Sequence, residues 1–237
     1  MDFSSPQFWV ALMQIIAIDI VLGGDNAVVI GLACRRLPAH QRKMGIFWGM
    51  VGAIGLRVIL IFFAVTLLAV PYLKVVGALL LLWIGVKLLL PELDEGGHKI
   101  EAGDTLLAAI KTVIVADAVM SLDNVIAIAG AAGDSRGLVV FGLLLSVPII
   151  VFGSQLVMKL MDRFPMVIVL GGALLGWIAG GMLVTDVAVA PHLTDVKSIA
   201  QYAGPLLGAI FVVVLGKAIA ARRLAKHALE ARSGTPH

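Results

Sequence analysis

Long apolar runs separated by short polar segments dominate this chain. Hydropathy and the positions of helix-breaking residues divide the apolar runs into seven segments. Each segment is long enough to cross the ~30 Å hydrocarbon core of a bilayer as a helix. The segments lie at about 8–33, 44–69, 72–90, 105–132, 137–161, 166–189 and 203–221. The pattern therefore predicts an all-α, polytopic membrane protein with seven transmembrane helices.

Composition supports this class and excludes others. Hydrophobic residues make up 60% of the chain and charged residues 14%, and the mean hydropathy is +1.05. These values exclude a soluble globular domain, so we expect a lipid bilayer as the surroundings of the chain. The net charge of +3 does not indicate a nucleic-acid partner, because the basic residues lie mostly near the ends of the apolar segments. A homo-oligomer is left open by the sequence.

The basic residues predict an orientation in the membrane. With seven crossings, fourteen of the eighteen Lys and Arg residues fall on one side and three on the other, and Arg57 lies mid-membrane. Because the more basic side of a membrane protein faces the cytoplasm, the N-terminus is expected outside and the C-terminal tail inside. The predicted location is the cytoplasmic (inner) membrane of a bacterium.

Two apolar segments carry the same acidic motif. An Asp, five residues and an Asp-Asn pair occur twice, 98 positions apart, as Asp19, Asp25 and Asn26 and as Asp117, Asp123 and Asn124. A carboxylate in the hydrocarbon core costs roughly 2.5–3.5 kcal/mol. A hydrogen bond between helices returns only about 0.6 kcal/mol. The repeated motif is therefore interpreted as a functional site and not as a structural tie between helices.

Other matches extend the repeat. They lie 94 positions apart and pair Pro71 with Pro165, Gly77 with Gly171, Trp83 with Trp177, and Ile84 with Ile178. Since each unit holds three helices, the second unit must enter the membrane in the opposite sense. This predicts a 3+3 inverted repeat, as in many secondary transporters. The chain is expected to form one transmembrane domain, with repeats at 1–91 and 104–190, a seventh helix at 201–222 and a cytoplasmic tail at 223–237.

The residue types of the motif indicate a divalent cation. Clustered carboxylate and amide oxygens suit Mg²⁺, Mn²⁺ or Ca²⁺. The predicted metal ligands are Asp19, Asp25, Asn26, Asp117, Asp123 and Asn124. No permanently bound cofactor is expected, because the ion would be the transported substrate.

Three features bear on the motif, and two of them, Met120 and Arg57, have two interpretations each. Met120 would add a soft ligand that favours Mn²⁺ over Mg²⁺, or it fills space in the core. Gly23-Gly24 is a weak point at which the helix could open towards a ligand. Arg57 is the counter-ion for one of the carboxylates, either as a plain structural ion pair or with a role in gating.

The stretches Gly23-Gly24-Asp25-Asn26-Ala27 and Ser121-Leu122-Asp123-Asn124-Val125, in a seven-helix chain with three-helix repeats, resemble the TerC family of bacterial integral membrane proteins. The resemblance covers nearly the whole chain. It implies membership of the wider LysE-type exporter superfamily and, for several TerC relatives, Mn²⁺ efflux.

The predicted function is a secondary transporter that exports Mn²⁺ or a related divalent metal from the cytoplasm. Crowded carboxylates in a low dielectric can trade a metal for protons, so proton exchange is the expected coupling. No G-x-x-x-x-G-K-[ST] motif is present, which argues against direct use of ATP. The alternatives are a metal-loading or assembly and quality-control partner that moves no ion, and an intramembrane Asp hydrolase. The symmetric duplication disfavours the hydrolase, so no enzyme activity and no catalytic residue are predicted.

Overall fold

The computed structural model of the chain describes residues 6–91, 102–132 and 136–233. Within the helices some side chains lie outside this description, including those of residues 18–24 and 123–139. Three of the predicted metal ligands, Asp19, Asp123 and Asn124, are among them.

The described residues form seven α-helices, one short 3₁₀-helix and no β-strand. The α-helices are α1 (Pro6–Cys34), α2 (Ala39–Leu68), α3 (Leu73–Leu89), α4 (Ala102–Ala132), α5 (Arg136–Arg163), α6 (Met166–Thr185) and α7 (Lys197–Ser233). The 3₁₀-helix, Ala190–Val196, joins α6 to α7. Each of the seven predicted apolar segments thus corresponds to a helix, and the all-α class is confirmed.

Four helices in the described part of the chain are long and apolar enough to cross a membrane. They are Ala39–Phe63, Val140–Arg163, Met166–Thr185 and Lys197–Leu229. The described side chains of α1 form only shorter apolar stretches, Phe8–Ala17 and Asp25–Cys34, and α3 has 17 residues. Four of the seven predicted spans therefore meet the requirement for crossing the bilayer on described residues alone.

Two features differ from the sequence interpretation: the continuity of α1 and the C-terminal end of α7. Helix α1 continues through Gly23-Gly24, so the helix does not open at that point in this structure. Helix α7 continues through most of the predicted tail, to Ser233. With 37 residues, α7 is about 55 Å long, which exceeds the ~30 Å hydrocarbon core and carries its basic C-terminal part beyond the bilayer.

The helices pack in a regular set of pairs. Helix α1 packs against α5 and α4, α2 packs against α4, and α3 packs against α6. The main apolar core lies between these pairs, and its fully buried side chains include Leu32, Leu81 and Leu175. Large apolar side chains such as Trp83 and Phe152 are exposed on the outside of the bundle, as expected where the solvent is lipid.

Helix α7 packs closely on α6 through glycines. A Cβ atom on Gly176 would overlap the carbonyl group of Gly208, and one on Gly180 would overlap the carbonyl group of Gly204. Gly176 and Gly180 on α6, and Gly204 and Gly208 on α7, each have the G-x-x-x-G spacing that lets two backbones approach closely in a membrane. The seventh helix is therefore part of the packed bundle.

Charged side chains hold both ends of α3. At the C-terminal end, Arg35 donates to the carbonyl oxygen of Leu88 at 2.8 Å, and Arg36 donates to that of Lys87 at 2.9 Å. These donors satisfy carbonyl groups that the last turn of a helix leaves free.

At the N-terminal end of α3, the carboxylate of Asp186 accepts hydrogen bonds from the backbone N–H groups of Tyr72 at 3.1 Å and Lys74 at 3.0 Å. It also accepts one from Ala188 at 2.8 Å. Burial by itself raises the pKa of Asp186, but the backbone N–H donors outweigh this effect, and the net result is a pKa below the usual value. Asp186 therefore acts as a charged cap on α3 although it lies more than one hundred residues further along the chain.

Candidate functional site

A buried arginine on α2 pairs with a buried aspartate on α4. Arg57 is 4% exposed and Asp117 is 5% exposed. The Nη2 group of Arg57 donates to Oδ1 of Asp117 at 2.5 Å, and its Nε group donates to Oγ of Ser121 at 3.0 Å. Ser121 in turn donates to Oδ2 of Asp117 at 3.3 Å. Both oxygens of the Asp117 carboxylate are thus engaged in one network.

The local sequence explains how Arg57 reaches this position. Gly49 and Gly52 on α2 lie directly against the side chains of Val113 and Ile114 on α4. The absence of side chains at these glycines lets the two helices approach closely. Arg57 lies about two turns beyond Gly49, and Asp117 about one turn beyond Val113.

Asn26 on α1 has a buried side chain that makes no hydrogen bond. It is 3% exposed, and neither its Oδ1 nor its Nδ2 atom has a partner. An unsatisfied buried polar group typically costs about 1–3 kcal/mol. Such a group is rare in folded proteins and calls for an explanation, such as a bound water or ion.

The Asn26 side chain lines a small cavity together with Arg57 and Asp117. The other lining residues are apolar: Ile30, Met50, Ala53, Ile54, Leu143 and Ile150. About 20 Å³ is open to the centre of a water-sized sphere, enough for one water molecule or one ion of similar size.

Asp25 lies at the edge of this site. Its side chain is half-buried, and its Oδ1 atom accepts a hydrogen bond from the backbone N–H of Asn26 at 2.8 Å. Asp25 lies close enough to Asp117 and Arg57 to interact with both electrostatically. The first and second acidic motifs therefore meet at this point of the bundle.

The structure brings together three of the six predicted ligands: Asp25, Asn26 and Asp117. The other three lie outside the described side chains, and metal binding by any of the six stays a prediction. Among the described side chains, no three His, Cys, Asp or Glu residues lie close enough to hold a metal ion. The six predicted ligands include only two described carboxylates, those of Asp25 and Asp117. The other four ligands are two asparagine amides and two carboxylates outside the described side chains.

Two residues near the motif have clearer roles in the structure than in the sequence. Met120 is buried in the main apolar core and does not line the cavity, which supports the packing interpretation. Ser121, one helical turn after Asp117, is the second partner of Arg57. Sequence reasoning treated Ser121 only as part of the repeated motif, although its spacing of four residues from Asp117 places both side chains on one face of α4.

Comparison with known proteins identifies the family. The model of the integral membrane protein TerC family matches residues 4–224 of this chain. The chain belongs to the TerC family. The resemblance seen in the two Asp-Asn motifs is thus confirmed over nearly the whole length of the chain.

Several curated TerC-type proteins are similar to this chain. The uncharacterized membrane protein YjbE of Bacillus subtilis (strain 168) is 39% identical over 207 residues, covering 87% of this chain and 94% of that protein. The UPF0053 inner membrane protein YgdQ of Escherichia coli (strain K12) is 25% identical over 181 residues, covering 69% and 76%. A UPF0053 protein of Haemophilus influenzae is 27% identical over 190 residues, covering 73% and 80%. No solved structure matches the chain.

TerC membership and the apolar helices together establish a multi-pass integral membrane protein. This is consistent with a membrane transporter.

Proposed function

We propose that this TerC protein is a secondary transporter that exports a divalent metal ion, with Mn²⁺ as the substrate, from the cytoplasm. The unsatisfied amide of Asn26 carries the proposal, because it faces a cavity that also contains Asp117 and the charge of Arg57. In the hydrocarbon core, ionisable residues mark substrate and ion pathways.

The donor atoms support a hard cation. Asp25, Asn26 and Asp117 offer only oxygen ligands, which suit Mn²⁺, Mg²⁺ or Ca²⁺ better than softer metals. We include Asp19, Asp123 and Asn124 in the proposed ligand set because the repeated motif places them at corresponding positions. The small cavity supports an ion in preference to an amino acid or another organic substrate.

Support for a 3+3 inverted repeat comes from equivalent helix contacts. Gly49 on α2 lies against Val113 on α4, and Gly142 on α5 lies against Ile15 on α1. Val113 and Ile15 are 98 positions apart, the same offset that separates the acidic motifs. The pairing of α2 with α4 thus has a counterpart in the pairing of α5 with α1.

An inverted repeat with a site between its halves suits alternating access, in which the halves rock around a fixed ion. We propose that protons enter as the metal leaves, because carboxylates can carry either. Export follows from the proposed coupling, since an inward proton gradient then drives the metal outwards.

Transport by purified protein in liposomes tests the proposal. Vesicles that are loaded with Mn²⁺ and contain the parent protein should release Mn²⁺ faster than loaded vesicles without protein. An inward proton gradient should speed the release. If the parent moves no divalent metal under any gradient, the transporter proposal is wrong. A metal-loading or assembly partner would then be the better account.

Neutral variants test the site. Asp25→Asn and Asp123→Asn should abolish Mn²⁺ release while the protein still reaches the membrane, because each change removes a charge and keeps the volume. Asp19→Asn and Asp117→Asn should also impair it. Asp162→Asn is the matched control, because Asp162 is exposed and pairs with Arg42 at 3.2 Å at the helix ends. Full activity in all four site variants would contradict the ligand assignment.

A further inference from the structure

Arg57 occupies the carboxylate that the proposed transport site needs. Its guanidinium holds Oδ1 of Asp117, and Ser121 holds Oδ2. In this arrangement each oxygen of Asp117 already accepts a hydrogen bond, and the guanidinium neutralises the charge of the carboxylate. A divalent cation bound beside the guanidinium would also meet strong repulsion in a medium of low dielectric constant.

We propose that Arg57 is a tethered cation that takes the place of the transported ion on Asp117 when the site is empty. The inference rests on the proposed transport function and concerns the regulation of that site. The metal displaces the guanidinium when it binds, and the guanidinium returns to Asp117 when the metal leaves.

The cavity supports this exchange. Asn26 lines it with both side-chain polar atoms unsatisfied, whereas both oxygens of the Asp117 carboxylate beside it accept hydrogen bonds. The described arrangement thus pairs the charge of the arginine with Asp117 and leaves the amide of Asn26 without a partner. Movement of one guanidinium would both free Asp117 and enlarge the space next to Asn26.

The two repeats differ in sequence at the position of the tethered cation. Arg57 lies on α2, the partner of α4, and the corresponding helix of the second unit is α5, the partner of α1. From Gly142 to Gln155, α5 contains no charged residue. Only one of the two matching helices therefore carries a tethered cation in its middle part.

A tethered cation has a specific consequence for transport. An empty site must return across the membrane with its carboxylates compensated, because a bare carboxylate in the hydrocarbon core is costly. In the proposed exchange, protons compensate the other carboxylates during the return step, and Arg57 supplies the compensation at Asp117. Compensation by Arg57 is not needed during metal–metal exchange, because the site then carries a metal ion in both directions.

Two transport modes in liposomes therefore separate the roles of Arg57. Arg57→Gln should keep the exchange of labelled internal Mn²⁺ for unlabelled external Mn²⁺. Its net release of Mn²⁺ into metal-free buffer should fall by about tenfold or more, because Asp117 then lacks its counter-charge when the metal-free site returns. Arg57→Lys should recover part of the net release. Arg223→Gln on the exposed part of α7 removes the same charge and should leave both modes at the parent level.

Each outcome decides between explanations. If Arg57→Gln keeps both modes, or loses both while folded, the tethered-cation inference is wrong and the proposed transport function stands. If the parent shows neither mode, the proposed function itself is wrong.

Ser121→Ala provides a second test that keeps the charge pair, and it decides the matter if Arg57→Gln does not fold. Ser121 bonds both Arg57 and Asp117, so its loss should favour release of the arginine. Equilibrium binding of Mn²⁺ to the purified variant should become about tenfold tighter, the effect of one charge-assisted hydrogen bond. Unchanged or weaker binding would overturn the inference.

Discussion

Asn26 presents a conflict between stability and function at the scale of a single residue. Its buried amide makes no hydrogen bond, although the cost of leaving such a group unsatisfied is about 1–3 kcal/mol. A residue that helps the fold would be apolar here, since Ile30, Met50 and Ile54 surround it in the cavity. The amide is therefore best explained by a ligand that satisfies it for part of the time.

Asn26→Leu should stabilise the protein and remove its function. Because each kcal/mol corresponds to about 2–4 °C for a chain of this size, the melting temperature in detergent should rise by a few degrees. Mn²⁺ should raise the melting temperature of the parent and leave that of the variant unchanged, since a ligand stabilises only the state that binds it. A variant that melts at a lower temperature and still exports Mn²⁺ would contradict this account.

Asp186 is a residue whose charge stabilises the fold in a pH-dependent way. Its pKa is lowered from the usual 3.8, because the backbone N–H groups at the start of α3 favour the carboxylate. The stabilisation is therefore fully present above about pH 4 and is lost as the pH falls through the lowered pKa.

Asp186→Ala should thus cost about 1 kcal/mol at neutral pH, as for the loss of a helix cap. Thermal unfolding of the parent and the variant should differ at pH 7 and converge as the pH falls below 3.8. Thr194→Ala, an exposed polar residue in the 3₁₀-helix, is the control. A difference between parent and Asp186→Ala that persists at the lowest pH would indicate lost packing and not lost charge.

Helix α7 shows at the scale of an element how small residues fix a position. Gly180 faces the backbone of Gly204, whereas the nearest atom to a Cβ on the adjacent Gly181 is the side chain of Pro205 at 3.7 Å. The two glycines are neighbours in sequence and differ only in which face of α6 they occupy. They form a matched pair for testing whether close packing holds α7 in place.

Gly180→Ala should destabilise the bundle, and Gly181→Ala should not. The methyl group at 180 would overlap a carbonyl group, so α7 must move away and lose contacts along its length. The measurement is the melting temperature in detergent, together with the rate of proteolysis in α7. Equal stability of the two variants would mean that α6 and α7 are not held by this contact.

The elements were more predictable from the sequence than their ends. Apolar segments of bilayer length predicted each of the seven helices, because a single segment can satisfy its own backbone in lipid only as a helix. The extension of α7 to Ser233 was missed, since its basic residues end the hydropathy signal without ending the helix. Continuity through Gly23-Gly24 was also not predictable, because packing against neighbouring helices can outweigh a propensity cost of about 1 kcal/mol per glycine.

At the scale of the whole molecule, the site depends on which helices meet. The sequence identified Asp25, Asn26 and Asp117 by repetition, and it named Arg57 as a counter-ion. It could not say which carboxylate Arg57 contacts, because the choice depends on the close approach of α2 to α4 at Gly49 and Gly52. The unsatisfied state of Asn26 was likewise invisible, since it is a property of the packed surroundings.

The orientation of the whole molecule in the membrane is the remaining prediction. It determines which face of the protein takes up the metal from the cytoplasm and which face releases it. The basic residues predict that residues 35–43, residues 92–104 and the C-terminal part of α7 lie in the cytoplasm, and that residues 133–136 and 190–200 lie outside. Cys34 is the only cysteine of the chain and is buried, so single cysteines can be added to a Cys34→Ser background. His40, His192 and Lys226 are exposed and suit this purpose.

A thiol reagent that cannot cross the membrane should label His192→Cys in intact cells. It should label His40→Cys and Lys226→Cys only after the membrane is opened. The α1–α2 loop and the α6–α7 connection are separated by five helices, α2 to α6, so an odd number of crossings puts them on opposite faces. Labelling of His40→Cys and His192→Cys from the same face would mean that one of these helices does not cross. The second unit could then not be inverted relative to the first, and a site shared between inverted halves would lose its structural basis.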